Sequence, residues 1–369
     1  MISKCVTLIL FVTLSTIAHG KELSVYIGTY TRGESEGIYR ATLDTKTGKL
    51  SEAVLAAECN NPSFLEINQK GDRIYAVGEG GPVELRSFSI EASGDLKGLN
   101  ELSSGGSGPC HISISPNGKF AAVANYGGGS VSSYSIDSNG QLVGPASTIQ
   151  HKGSSVHPKR QTKPHAHSIN FSIDSRFAYA ADLGTDKIYV YAVDEETGKL
   201  TLLSQADLPG GSGPRHFAVH PSGKWAFLIN EMTRDVTSFR VDTQSGELSL
   251  IAKASTLPPD ADPEGSTAEI VIHPSGGFVY GSNRGHDSIV VFSLDKNTGK
   301  LTRVENEPIQ GEIPRNFAVT PDGKWLLAAG QRSHSIAVFS IDPETGELDY
   351  TGNRITVDSP VCIRFHKRG

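Results

Sequence analysis

Apolar and polar residues alternate with a period of two through much of this chain. Val290, Phe292 and Leu294 alternate around Ser293, and Ala337, Phe339 and Ile341 do so around Ser340. That period predicts half-buried strands. Each such run ends in a turn of the form D-x-x-(x)-G-x-L, as in DTKTGKL at Asp44, DEETGKL at Asp194, DTQSGEL at Asp242, DKNTGKL at Asp295 and DPETGEL at Asp342, with shorter versions at Ser93 and Asp137. The closing leucines are Leu50, Leu96, Leu142, Leu200, Leu248, Leu301 and Leu348. One unit of roughly 50 residues is therefore repeated along the chain. Upstream of the turn, most units carry a second pattern, strand, P-x-G-K turn, strand: SPNGKFAAVAN, HPSGKWAFLIN, HPSGGFVYGSN and TPDGKWLLAAG are the clearest.

Four strands per unit predict an all-β fold, a seven-bladed β-propeller with four-stranded antiparallel blades. LSVYIGTY near the start matches the second strand of a unit, and SPVCIRFH near the end supplies the first strand that the opening unit lacks. The C-terminal strand should join the N-terminal blade and close the ring, which removes an exposed edge. An open array or two sandwiches would not call for a terminal strand that completes the opposite end. The propeller should occupy 21–369 as one domain. No W-D pair or kelch-like paired glycines mark the blades.

Composition adds little to the fold but narrows the partners. Of 369 residues 20% are charged, and 40 Gly with 19 Pro make turns frequent. A net charge of −6 makes nucleic acid and anionic lipid poor electrostatic partners. Residues 1–20 read as a secretory signal: Lys4, an apolar stretch from Val6 to Ile17, then Ala18-His19-Gly20 as a small-x-small cleavage site. The mature protein is expected to be exported, periplasmic or extracellular, and not inserted in the membrane once the leader is removed. Cys59, Cys110 and Cys362 remain, an odd number that suits buried free thiols better than a disulfide framework.

In a propeller the innermost strands line a central channel, so one repeat position forms one ring. Counting back from the P-x-G turns gives Ser63, Cys110, His167, Arg215, Ala268, Arg315 and, through closure, Val361. The ends of the second strands offer Asn125-Tyr126, Asp182, Asn230-Glu231, Asn283-Arg284 and Gln331. Arg215 and Glu231 then lie one hairpin apart, with His167 from the blade before and Arg284 from the blade after. Guanidinium forks grip a carboxylate or phosphate while Glu or His moves a proton. The same spacing also suits inter-blade salt bridges. The gap between Leu142 and Leu200 is the longest and holds GSSVHPKRQTKPHAHS, a loop with Lys159, Arg160 and Lys163 that should lie on the binding face. His165 and His167, helped by His157, could hold a metal, but no carboxylate or cysteine nearby in sequence completes a set. His111, His216, His220 and His273 read as packing or capping residues. No nucleophile elbow, Walker loop or dinucleotide fingerprint is present.

The motifs YIGTYTRGESEGIY, GPCHISISPNGK with ANYGGGSV, PKRQTKPHAHS, GPRHFAVHPSGK with NEM, STAEIVIHPSG with SNRGHDSI, and IPRNFAVTPDGK with AAGQ resemble the seven-bladed propeller lactonases, the family of bacterial 6-phosphogluconolactonase and fungal carboxymuconate-lactonizing enzyme. The resemblance implies a metal-independent site without a cofactor, acting on a small anionic lactone. By matching motifs its catalytic residues would be His167, Arg215, Glu231 and Arg284, with His165 an alternative to His167. His165, Arg315, Gln331, Asn125, Tyr126 and Arg160 are the substrate-binding candidates. Hydrolysis of a sugar or sugar-acid lactone is the leading expectation. A muconate-type cycloisomerase, a non-catalytic binding propeller and a calcium-dependent gluconolactonase-like site are its rivals.

Overall fold

A computed structural model describes residues 22–81, 84–261 and 264–367. The leader read over 1–20 lies outside the described residues. Among them the chain forms seven four-stranded antiparallel sheets. The closing sheet pairs β28 (Pro360–Lys367) with β1 (Glu22–Thr29), followed by β2 (Gly37–Asp44) and β3 (Val54–Glu58). Val25 faces Phe365 and Ile27 faces Ile363 across that seam, so the ring closes as the repeat count requires.

The other six blades follow the chain in order. Blade 2 runs from β4 (Pro62–Ile67) to β7 (Leu96–Leu102), and blade 3 from β8 (Pro109–Ile114) to β11 (Leu142–Gln150). Blade 4 runs from β12 (Ala166–Phe171) to β15 (Leu200–Asp207), and blade 5 from β16 (Pro214–Val219) to β19 (Leu248–Ser255). Blade 6 runs from β20 (Ser266–Ile272) to β23 (Leu301–Pro308), and blade 7 from β24 (Pro314–Val319) to β27 (Leu348–Thr356).

Both repeat motifs seat one blade on the next. In the D-x-x-T-G turn the Asp side chain accepts backbone N–H groups two and three residues on, as Asp342 Oδ1 does from Glu344 and Thr345 at 2.8 and 2.9 Å. The turn's glycine lies in the left-handed region, and Gly346 (φ +77°) packs so closely on the Phe278 ring of the preceding blade that no Cβ would fit. Gly198 meets Phe120 in the same way. The aromatic that follows each P-x-G turn is thus the seat for the neighbouring blade's outer hairpin. Apolar side chains such as Tyr280, Phe317, Phe339 and Leu326 fill the wedge between blades.

The inner strands share one irregularity. In blades 2, 3, 4, 5 and 7 the register slips between a residue at the strand start and the second residue after it, Pro214 and His216 being one example. The skipped residues are Ser63, Cys110, His167, Arg215 and Arg315. Blade 6 slips across Ala268 and Glu269, and the closing blade between Gly28 and Thr29, opposite Val361. Each ring residue found by counting therefore occupies a bulge, which turns its side chain out of the ladder.

Candidate active site

Six of the seven ring residues form a narrow waist: Ser63, Cys110, His167, Arg215, Arg315 and Val361 line one small cavity together with Phe64 and His216. A second ring lies at the ends of the second strands, one residue beyond the strand in six blades and at the last strand residue, Arg284, in blade 6. From blade 1 to blade 7 it reads Tyr30, Glu79, Tyr126, Leu183, Glu231, Arg284 and Gln331, as the pairs Thr29–Pro360, Gly78–Pro62, Asn125–Pro109, Asp182–Ala166, Asn230–Pro214, Asn283–Thr267 and Gly330–Pro314 fix its register.

Glu231 is the hub. Its Oε2 accepts from Arg215 at 2.6 Å and lies 3.2 Å from Arg284, and its Oε1 accepts from Arg160 at 2.6 Å. His167 Nε2 is 3.8 Å from Oε2. Burial alone would push the Glu231 carboxyl up, but Arg215, Arg284, His167 and Arg160 outweigh it and hold the group well below the usual range. Burial, with Arg215 close by, pulls Arg284 down to about 9, so it remains cationic near neutrality. Arg284 donates to Thr267 O, while its Nε is buried without a hydrogen-bond partner.

His167 is nearly fully buried, and its Nε2 sits 2.7 Å from Arg215. A guanidinium can only donate, so Nε2 carries the lone pair and the ring proton belongs on Nδ1, which faces Cys110 Sγ at 3.6 Å. Burial, reinforced by Arg215, keeps this imidazole neutral, well below 6.5. Burial likewise pushes the Cys110 thiol up to about 12, so it is not a standing nucleophile.

The long insertion does reach the mouth. Its Arg160 touches Glu231 and, at 3.3 Å, the Tyr126 hydroxyl, and its Lys163 donates to Gly127 O. His165 Nδ1 donates to Tyr126 O, and its ring stacks on Tyr126 at 4.5 Å, whereas His167 meets the same tyrosine edge-on at 5.0 Å. Of the two histidines only His167 touches Arg215 and Glu231. His157 Nδ1 accepts the Lys159 and Arg160 amides and so caps its own turn. Among the described residues no group of three or more His, Cys, Asp or Glu is placed to hold a metal ion.

Two candidates lie apart from the mouth. Asn125 is fully buried and turned away from the mouth, because strand alternation sends it opposite to Tyr126, and its Nδ2 braces the hairpin through Ser104 O and Ser130 Oγ. In this structure its side chain braces the hairpin and does not line the mouth. Asp182 occupies the same position and holds its loop through the His165, Gly184 and Thr185 amides and His151. The outward neighbour of Asp182 is Leu183, so that blade gives the upper ring an apolar side chain. His220 and His273 are caps, as expected: each bonds a serine of its own turn and a glycine carbonyl of the next blade.

Sequence reasoning missed Tyr30 and Glu79, the blade 1 and blade 2 members of the upper ring. Tyr30 donates to Glu79 Oε2 at 2.7 Å, and the Arg32 and Arg315 guanidinium groups lie 5.3 and 5.4 Å from its ring centre. Glu269 was missed as well. Below the waist His216 Nδ1 donates to Glu269 Oε1 at 2.8 Å, Asn316 donates to Oε2 at 2.5 Å, and Asn316 Oδ1 accepts from Ile363 N. This belt ties blades 5, 6, 7 and 1 together. Beyond it a cavity of about 540 Å³ is lined by apolar side chains such as Phe171, Phe217 and Phe317 and by charged ones including Glu66, Glu269 and Arg364.

Burial is the largest cause that pulls His111, His167 and His216 below 6.5; Arg215 adds to it for all three, while Glu231 opposes it at His167 and Glu269 opposes it at His216. The three histidines are neutral in the folded protein and take up protons more readily unfolded. Their contribution to stability is therefore present above the ordinary histidine pKa and lost as pH falls below it. As pH falls below about 6.5, and until its own lowered folded-state value is reached, each should cost up to about 1.4 kcal/mol per pH unit. Thermal unfolding followed across that range should show a falling midpoint, with a shallower slope in His111→Phe. A midpoint independent of pH would contradict the neutral assignment.

The comparisons with known proteins decide the family. Residues 24–365 match the family model "Lactonase, 7-bladed beta-propeller". This chain is a member of that family. It is 36% identical over 345 residues to a 6-phosphogluconolactonase of Bacillus subtilis (strain 168), covering 92% of this chain and 97% of the relative. A 6-phosphogluconolactonase of Formosa agariphila is 36% identical over 308 residues, 80% of this chain and 86% of that one. The solved structure of a periplasmic gluconolactonase from Pseudomonas aeruginosa superposes with a TM-score of 0.88 at 30% identity, covering 94% of this chain and 99% of that one.

Proposed function

We propose that this protein hydrolyses a sugar or sugar-acid lactone at the mouth formed by His167, Arg215, Glu231 and Arg284, without a metal. The carrying observation is the Glu231 carboxylate held by three arginines from different blades and from the long insertion, beside a neutral imidazole. Relatives that bear lactonase names over nearly their whole length support the same reaction class.

The charge arrangement suggests how the step runs. Water attacks the lactone carbonyl and passes a proton to Glu231 as the carbonyl oxygen becomes an oxyanion. Arg215 and Arg284 exchange one anionic partner, the carboxylate, for another, the oxyanion. The count of anions beside them stays constant, which keeps a buried site from carrying uncompensated charge. The ring C–O bond then breaks and the leaving alkoxide recovers the proton from Glu231. His167 fixes the orientation of Arg215 through Nε2. Because Glu231 is a weak base while all three arginines hold it, the step requires the substrate to draw them off.

Export fits the leader pattern of residues 1–20, and the Pseudomonas relative named as periplasmic supports it. The test is acid release from glucono- and 6-phosphoglucono-lactone by the purified protein, with and without chelator. Turnover unchanged by chelator is expected. Loss of turnover that returns with calcium would favour a metal-dependent site, and binding without turnover would favour a binding propeller.

A further inference from the structure

Blades 5 and 7 carry the same local sequence at the mouth, GPRHFAV and IPRNFAV, and the same register, Pro214 opposite Asn230 and Pro314 opposite Gly330. Arg215 and Arg315 are thus equivalent residues of the lower ring, and Glu231 and Gln331 are equivalent residues of the upper ring. In blade 5 the arginine is neutralised one hairpin away, at 2.6 Å from Glu231. In blade 7 an amide stands where that carboxylate would be. Among the described residues no carboxylate lies within ion-pair distance of Arg315, and its guanidinium makes no hydrogen bond. What it has is the face of Tyr30, 5.4 Å from the ring centre, and a place on the wall of the waist beside His167 and Arg215. The nearest acid on that side, Glu79, already accepts the Tyr30 hydroxyl.

A cation that is partly buried, aimed into the site and left without a counter-ion is a binding group for an external anion. We propose that Arg315, left unpaired by Gln331 and backed by Tyr30, is a subsite for an oxyanion substituent that the lactone carries away from its carbonyl, a phosphate ester or a second carboxylate. The inference rests on the lactonase reading for the word lactone, but the subsite itself can be measured by binding alone. It also separates roles among the arginines: Arg160, Arg215 and Arg284 serve Glu231 and the reacting carbonyl, and Arg315 serves selectivity.

The opened products provide the probes. Calorimetric titration should show 6-phosphogluconate or glucarate, which bear a distal phosphate and carboxylate, binding about ten-fold or more tightly than gluconate, which ends in an alcohol. Whichever of the two charged probes binds more tightly identifies the substituent. Gln331→Glu rebuilds the blade 5 pair in blade 7 and should abolish that preference, whereas Gln331→Met, which adds no charge, should retain it. Cooperative thermal unfolding of each variant checks that the fold persists. Equal affinity for all three probes in the native protein, or a preference that survives Gln331→Glu, would overturn the subsite. Absence of lactone opening with the preference intact would instead count against hydrolysis.

Discussion

Glu231→Gln is expected to lower kcat for lactone opening by about 10²- to 10⁴-fold, the usual range for loss of a positioned proton-transfer group. The amide occupies the same volume but cannot accept the proton from water, and it cannot balance the arginines that converge on this side chain. Glu231 and Arg215 are both nearly fully buried, at 4% and 3% exposure, and breaking a pair so placed costs about 3–5 kcal/mol because the surviving charge is left uncompensated. The variant should therefore also unfold at lower temperature, and activity must be read well below that transition. Acid release measured for both proteins under those conditions checks the role. Equal rates would remove Glu231 from the mechanism whatever the stability change.

The largest structural effect should come from deleting residues 359–369. The cut removes β28, the innermost strand of blade 1, and with it Val361, Cys362 and Ile363, which are at most 2% exposed. Each buried side chain of this size is worth about 1.5–3 kcal/mol, before counting the ladder with β1 from Leu23 to Thr29 and the packing of β28 on β4 and β24. Against a net stability of about 5–15 kcal/mol for a whole domain, little would remain. The truncated chain should lack a cooperative thermal transition and expose the unpaired edge of β1 to aggregation. A truncated protein that melts like the full chain would mean that closure contributes little.

The repeat, the closure and the lower ring were legible because each depends on a spacing that the chain states seven times. Counting back from the P-x-G turns reached the bulged positions without knowledge of the bulges, since the insertion of one residue is itself repeated. The upper ring was read less well. Asp182 looked like a mouth residue because the register of blade 4 was taken one position early, and Asn125 looked polar and adjacent to Tyr126 when strand alternation sends the two to opposite sides. Tyr30 and Glu79 escaped because the opening blade lacks a P-x-G turn from which to count and because Gly78-Glu79 does not resemble Asn-Tyr or Asn-Glu. No local pattern in STAEIV could have shown that Glu269 spans from His216 to Asn316, since that contact exists only between blades. The difference between Arg215 and Arg315 was visible as letters from the start. It acquired physical meaning only when the carboxylate beside one and the amide in place of it beside the other were seen to be equivalent.

Lactone opening carried out in water labelled with heavy oxygen, with the product weighed by mass spectrometry, tests the central claim most directly. The mouth as described should yield an acid heavier than the lactone by one labelled water, with formation slowed in Glu231→Gln. A product of the same mass as the substrate, carrying no label, would contradict hydrolysis and assign these same residues to an isomerisation.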